Sequence, residues 1–263
     1  MIIRKSPQEI EQMARAGELV AETLALVGER IQPGVATAEL DTLAEDFIRS
    51  HGAVPTFKGY RGYPASICTS PNAMVVHGIP GSYLLSEGDI ISVDVGVTLD
   101  GLVADAAYTF PVGVVSAEAL RLLDACRSAL SAGIAQALPG NRLSDISHAV
   151  QLTTESADFS VVRTLVGHGV GRQMHEDPQI PNYGEPGRGP ELTVGMTLAI
   201  EPMINAGDPD VFVHDDGWSI STKDSSLSAH FEHTIAVSET GPRILTTSPI
   251  VDLTAVASRS GSQ

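Results

Sequence analysis

The chain has 263 residues, 43% hydrophobic and 18% charged, a composition that builds a core rather than staying disordered. A formal net charge of −16 argues against phosphate-neutralising nucleic-acid binding, and no apolar run approaches the roughly 20 residues of a membrane helix. Cys68 and Cys126 are the only cysteines and form no CxxC pair, and the start MIIRKSPQEIEQM lacks the apolar stretch of a signal peptide. A cytoplasmic protein with neither a thiolate zinc site nor a disulfide framework is expected.

The first helix is signalled by Ser6 as N-cap, Pro7 at the first helical position and Glu9 closing a capping box. Ile10, Met13, Val20, Leu24 and Val27 then recur at helical spacing until Pro33-Gly34. Thr37 is the expected cap of a second helix carrying Leu40, Leu43, Ala44 and Phe47 and ending near Gly52. Strand-like runs follow from Ile90 to Val97 and from Leu102 to Phe110. A helix from near Ser116, with Leu120, Leu123, Leu130 and Ile134, runs to Pro139-Gly140, and Ser144 is expected to open another with Ile146 and Val150. An apolar strand is expected at Val161–Val166, and strand-like runs at Thr197–Pro202 and Ala229–Ile235.

The order helix, Pro-Gly, helix, then strands bearing a carboxylate therefore occurs twice. The two Pro-Gly breaks stand 106 residues apart, and Asp94 and Glu201 stand 107 apart. This predicts one domain of two similar halves with the site between them. Because Pro-Gly is a common helix terminator, chance recurrence is the competing reading.

Asp100-Gly101 is a two-residue hairpin signal, and with that turn Asp105 lies opposite Gly96. Asp94, two residues from Gly96, shares its face and is diagonal to Asp105, where Cβ atoms lie within about 7–8 Å. Asp94 also interrupts an apolar run, and a buried carboxylate without a partner is costly; a solvated strand face is the bland alternative. Glu201 and Glu232 occupy strand-like runs of the second half. His168 sits in Gly167-His168-Gly169-Val170-Gly171, where Arg172 replaces the third glycine of a dinucleotide fingerprint. His77 and His175 lie in glycine- or proline-punctuated loops. The set Asp94, Asp105, His168, Glu201 and Glu232 is rich in oxygen and poor in nitrogen, which suits two hard or borderline divalent metals. With no GxSxG motif and no cysteine in a nucleophile's setting, water activated by metal is the expected nucleophile.

At these residues the chain resembles the type I methionine aminopeptidases. The resemblance is carried by GYRGYP (59–64), CTSPNAMVVHGIP (68–80), the Asp94–Asp105 hairpin, GHGVGRQMHEDPQIPNY (167–183), GMTLAIEPMIN (195–205) and WSISTKDSSLSAHFEHTIAV (218–237). It runs from about Ser6 to Leu245, leaving Ala255 to Gln263 as an expected solvated tail. It implies the pita-bread fold: an α/β (α+β) domain of two pseudo-symmetric halves, each with helices outside an antiparallel sheet. It also implies a metallo-exopeptidase that removes the initiator methionine when the second residue is small, attacking with a hydroxide bridging two metals (Co, Mn, Fe or Zn). By the same resemblance Asp94 chelates one metal, Asp105 and Glu232 bridge both, and His168 and Glu201 complete the other. Glu201 shuttles a proton, His175 stabilises the oxyanion and His77 contacts the scissile nitrogen. Tyr60, Tyr63, Cys68, Met174 and Trp218 line the methionine pocket, with Phe57 at its edge. Met174 stands where many bacterial members have phenylalanine, and Phe57 where some have a small residue. A monovalent cation (Na or K) is implied near Asn72 and Ser228. The expected partners are N-terminal Met peptides and nascent chains, with transient ribosome contact, no membrane and a monomeric state. The 31 residues from Glu201 to Glu232 leave no room for the helical insertion of type II enzymes. An Xaa-Pro peptidase of the same fold and a non-catalytic binding module are the alternatives.

Overall fold

The computed structural model describes residues 1–249; the tail expected at 255–263 lies outside them. Helix α1 (Pro7–Arg30) begins as its sequence dictates, with Ser6 Oγ accepting from the Glu9 amide and Glu9 Oε2 accepting from the Ser6 amide at 2.8 Å. Met13, Val20, Leu24 and Val27 are buried along one face. Helix α2 (Thr37–Ser50) differs from expectation at its start: Ala36 is the N-cap, and Glu39 accepts from its amide at 3.1 Å. Thr37 Oγ1 instead accepts from the Gly81 amide at 2.9 Å and lies 3.1 Å from the Gly81 carbonyl oxygen. A tertiary partner has taken the hydroxyl from its capping role, and the loop that follows His77 is tied to the helix as a result.

Strands β1 (Val54–Pro55), β2 (Ile67–Pro71), β3 (Met74–Val76), β4 (Ile90–Leu99) and β5 (Leu102–Pro111) follow. Helix α3 (Ala117–Ala135) is capped by Ser116 Oγ, which accepts from the Ala119 amide at 3.0 Å. Its buried stripe runs through Ala119, Leu122, Cys126, Leu130 and Ile134, so the expected face led by Leu120 and Leu123 is displaced, and Leu120 is 55% exposed. Alanines and a cysteine supply much of this contact, which lets the helix approach the sheet closely but weakens its hydrophobic signature. Helix α4 (Leu143–Ser156) repeats the start of α2. Arg142 is the N-cap, Asp145 accepts from its amide at 2.7 Å, and Ser144 Oγ accepts from the Arg188 amide rather than capping.

The second half continues with β6 (Ser160–Val161), β7 (Val166–Gly169), β8 (Glu176–Pro181), β9 (Thr197–Ile200) and β10 (Met203–Asn205). It ends with β11 (Val211–Val213), β12 (Ile220–Thr222), β13 (Ser228–His230), β14 (His233–Ser238) and β15 (Gly241–Ile244). One antiparallel sheet has the order β1-β4-β2 with β5 also on β4, and the other β15-β14-β9-β7-β8. Two smaller sheets, β13-β10-β6 and β11-β12-β3, lie among the remaining strands. The expected strand Val161–Val166 is thus two short strands, and His168 lies within β7 instead of following it.

The internal repeat is explicit in backbone hydrogen bonds. Gly34 donates to Leu85 O at 2.7 Å and Gly140 to Leu192 O at 2.9 Å; Thr37 donates to Tyr83 O and Leu143 to Pro190 O, both at 3.0 Å. Leu85 donates to Val35 O and Leu192 to Asn141 O at 2.9 and 2.8 Å. Each partner recurs 106 or 107 residues later. A chance recurrence of Pro-Gly would not reproduce this lattice, so the two-half arrangement holds. One core cluster joins both halves: Val20, Leu24, Val93 and Val95 from the first, and Leu122, Leu130, Leu198 and Ile235 from the second.

Candidate metal centre

The β4–β5 hairpin has the register read from the turn: Leu99 faces Leu102 and Gly96 faces Asp105, with Asp100 and Gly101 at φ 50° and 79°. Two left-handed residues match the right-handed strand twist, as a type I′ turn requires. Asp94 and Asp105 therefore share a face. Gly96 between them is needed for space, since a Cβ there would lie 2.6 Å from the Phe57 ring. Asp105 is tied to the second half: its amide donates to Thr234 Oγ1 at 3.0 Å, and Thr234 Oγ1 lies 2.9 Å from Asp105 Oδ1.

The two glutamates sit in gaps between strands rather than within them. Glu201 follows β9 and precedes β10, while Phe231-Glu232 separates β13 from β14. The expected run Ala229–Ile235 is broken because the chain changes sheet there, β13 pairing with β10 and β14 with β9. At that step the Glu232 amide donates to Ala107 O at 2.9 Å, which fixes the carboxylate beside β5. His168 on β7 has Nδ1 3.0 Å from Gly169 O. A carbonyl only accepts, so Nδ1 carries the proton and Nε2 keeps its lone pair. That Nε2 is 3.6 Å from Asp105 Oδ2 and 3.5 Å from Glu201 Oε1. Asp105, His168 and Glu232 bring ligand atoms within 4.8 Å of one another.

Burial dominates the electrostatics. It raises the Asp94 carboxyl well above its usual range, with the Asp105 charge adding to the effect, and pushes Asp105 up to about 6. Burial first, then the neighbouring carboxylates, raises Glu201 and Glu232 likewise. Among the described residues no lysine or arginine pairs with any of the four, and Asp94 Oδ1, Asp105 Oδ2 and Glu232 Oε1 are buried without a hydrogen-bond partner. Converging, unsatisfied carboxylate oxygens beside an imidazole lone pair are the donor set of a hard or borderline divalent cation. The residues fit such an ion.

The thirteen residues expected to bind divalent metal or substrate line one cavity of about 150 Å³, and Arg61 lines it too. Tyr63 and Trp218 meet edge to face at 5.1 Å, and Tyr63 Oη lies 2.9 Å from Gly78 O. With Phe57, Cys68 and Met174, each 5–7% exposed, they form an apolar wall against the charged cluster. Burial lifts the Cys68 thiol well above its usual range, so it serves as wall and not as nucleophile. Tyr60 Oη is 2.9 Å from His175 Nδ1, and the His175 ring lies 4.2 Å from that of His168. His77 has φ 60°. Burial holds His77 and His175 at about 4, so both are neutral near pH 7. A larger groove of about 570 Å³ around Tyr108, Arg127 and His233 contains none of the cluster. Asn72 and Ser228 are joined by an amide–carbonyl bond at 2.9 Å; Asn72 Nδ2 donates to Asp89 Oδ1 and Ser228 Oγ to Asn205 Oδ1.

Sequence reasoning missed Lys5 and His230. Lys5 Nζ pairs with Glu176 Oε2 at 2.5 Å, with side chains 1% and 5% exposed, while Glu176 Oε1 accepts from the Arg172 and Gln173 amides at 2.8 and 3.1 Å. The pair pins the loop that carries Met174 and His175, and nothing in the flanking sequence announces it. Lys5→Met leaves the buried Glu176 carboxylate with its two amide donors and no cation, and is expected to cost about 2–4 kcal/mol, read from the urea midpoint. His230 had a signal: it precedes Glu232 by two residues, the spacing of one strand face.

The sequence matches metallopeptidase family M24 over residues 11–239. It is 53% identical over 246 residues to the methionine aminopeptidase of Clostridium perfringens, covering 94% of this chain and 99% of that one. It is 48% identical over 253 residues to methionine aminopeptidase 1 of Mycobacterium tuberculosis, covering 94% and 95%. The structure superposes on that of the Rickettsia prowazekii methionine aminopeptidase with a TM-score of 0.93 at 44% identity, covering 94% and 100%. The prolidase of Pyrococcus horikoshii, at 20% identity and a TM-score of 0.75, covering 94% of this chain and 64% of its own, shares the fold alone. With a carboxylate–histidine cluster between two duplicated halves and relatives matched over nearly their whole length, the chain belongs to metallopeptidase family M24, among its methionine aminopeptidases.

Proposed function

We propose that this protein hydrolyses the N-terminal methionine from peptides and nascent proteins whose second residue is small. The observation that carries the reading is the shared cavity: an apolar wall of Tyr63, Met174 and Trp218 opens onto four carboxylates and His168. Asp94, Asp105, His168, Glu201 and Glu232 would hold two divalent ions, of Mn, Fe, Co or Zn. Such ions, when bound, polarise a carbonyl and lower the pKa of water.

The chain's own groups divide the remaining work. The apolar wall takes the methionine side chain. Glu201 is the proton carrier: it faces the cavity, and burial, with the neighbouring carboxylates, raises its carboxyl above the ordinary range and so favours its holding a proton. With Tyr60 donating to Nδ1, His175 presents Nε2–H to the oxygen on which negative charge develops. His77, neutral and held at positive φ, contacts the scissile nitrogen. The protein acts in the cytoplasm, as a monomer, on chains as they leave the ribosome; its similarity to bacterial methionine aminopeptidases supports the substrate class.

Comparing Met-Ala-Ser with Ala-Pro-type peptides tests the substrate class. Met-Ala-Ser is expected to be cleaved at a higher kcat/KM; faster cleavage of the proline peptide would sink the proposal.

A further inference from the structure

His230 has no part in the donor set above, and it does not line the cavity. Yet its side chain is 2% exposed, and its Nε2 is buried without a hydrogen-bond partner. That nitrogen lies 3.8 Å from Glu201 Oε2 and 3.9 Å from Glu232 Oε2. Glu201 therefore divides its two oxygens, Oε1 toward His168 and Oε2 toward His230. Glu232 turns Oε2 toward His230 and leaves Oε1 unpartnered.

The backbone of His230 has no latitude. It faces Met203 in the β10–β13 ladder, and Thr109 Oγ1 accepts from its amide at 3.0 Å and lies 2.8 Å from its carbonyl oxygen. Thr109 is itself held by Ser92 at 2.8 Å. A buried polar nitrogen without a partner costs of order 1–3 kcal/mol, so a ring locked in this place needs a compensating interaction. The two glutamate carboxylates, at 3.8 and 3.9 Å, stand just beyond hydrogen-bond range of that nitrogen.

We propose that His230 is a positioning residue of the metal centre, its Nε2–H donating to the Glu201 and Glu232 carboxylates and turning their other oxygens toward the metal ions. The role rests on the cluster being a metal centre. Groups that orient ligands in this way change metal affinity by about 10–100-fold when they are removed.

The test compares full-length wild type with His230→Leu, His230→Gln and His230→Asn, each stripped of metal and titrated calorimetrically with Co(II). Wild type is expected to bind Co(II), His230→Leu to bind about 10–100-fold more weakly, and His230→Gln, whose amide keeps a donor at similar reach, to stay within a few-fold of wild type. His230→Asn, with a shorter donor, should fall with Leu, so the Gln–Asn pair carries the comparison if the Leu variant does not fold. The urea midpoint of the metal-free Leu variant should be unchanged or higher, because an unpartnered polar group has been replaced by an apolar one. Wild-type affinity in the Leu and Asn variants would overturn the role. Equal loss in Gln and Leu would overturn it too, since donor ability would then be irrelevant. Absence of Co(II) binding by wild type would overturn the metal-centre reading itself.

Discussion

Glu201→Gln is expected to lower kcat on Met-Ala-Ser by about 10²–10⁴-fold, the range that a lost general acid–base group costs. The change keeps the shape of the side chain and removes both its charge and its capacity to carry a proton. Glu201 lines the cavity, and its Oε1 lies 3.5 Å from His168 Nε2. The apolar wall is untouched, so KM should move far less than kcat, as expected when an interaction of the transition state is removed. Unaltered kcat in a variant shown to hold metal would contradict the role given to Glu201.

Metal binding should stabilise the protein strongly, and more so as pH rises. At 100 times its Kd a ligand adds about 2.7 kcal/mol, which for a chain of this size is about 5–10 °C in Tm. The sign of the pH effect follows from the carboxyls. Asp94, Asp105, Glu201 and Glu232 all have folded-state pKa values above their ordinary ones, Asp105 at about 6. In stripped protein each therefore contributes stability that is complete below the ordinary carboxylate range and is lost as pH rises through the folded value. The histidines oppose this at acid pH. Burial holds His77, His175 and His233 near 4 and His230 near 3, so stability falls as pH drops below their ordinary 6.5. Comparing loaded with stripped protein at each pH isolates the ligand set, the four carboxyls and His168, because binding the ion displaces their protons. The Tm increment from Mn(II) should be small at pH 5 and grow toward pH 8. An increment that is flat or shrinking with pH would place the ion elsewhere.

The parts of this site visible in the sequence were those set by local geometry. The Asp100-Gly101 turn fixes the pairing of Gly96 with Asp105, and strand alternation then places Asp94 on the same face. The duplicated Pro-Gly breaks announced the two halves, because each needs a positive-φ glycine where its helix pair joins. What local pattern could not supply was decided by tertiary partners. Thr37 and Ser144 read as caps but are drawn to Gly81 and Arg188, while Glu39 and Asp145 do the capping. The breaks at Glu201 and Glu232 arise because the chain crosses between sheets, a long-range event that leaves an apolar run looking continuous. Lys5 reaches Glu176 over 171 positions and has no local signature at all. The chemistry of the cluster came from the residue types, and the substrate pocket from the resemblance to relatives.

The most direct test is the release of free methionine from Met-Ala-Ser by protein stripped with chelator, then assayed before and after adding Mn(II) or Co(II). Loss of turnover on stripping and its recovery with the ion is the expected result. Undiminished methionine release from protein shown by elemental analysis to hold no metal would contradict the reading of Asp94, Asp105, His168, Glu201 and Glu232 as the catalytic metal centre.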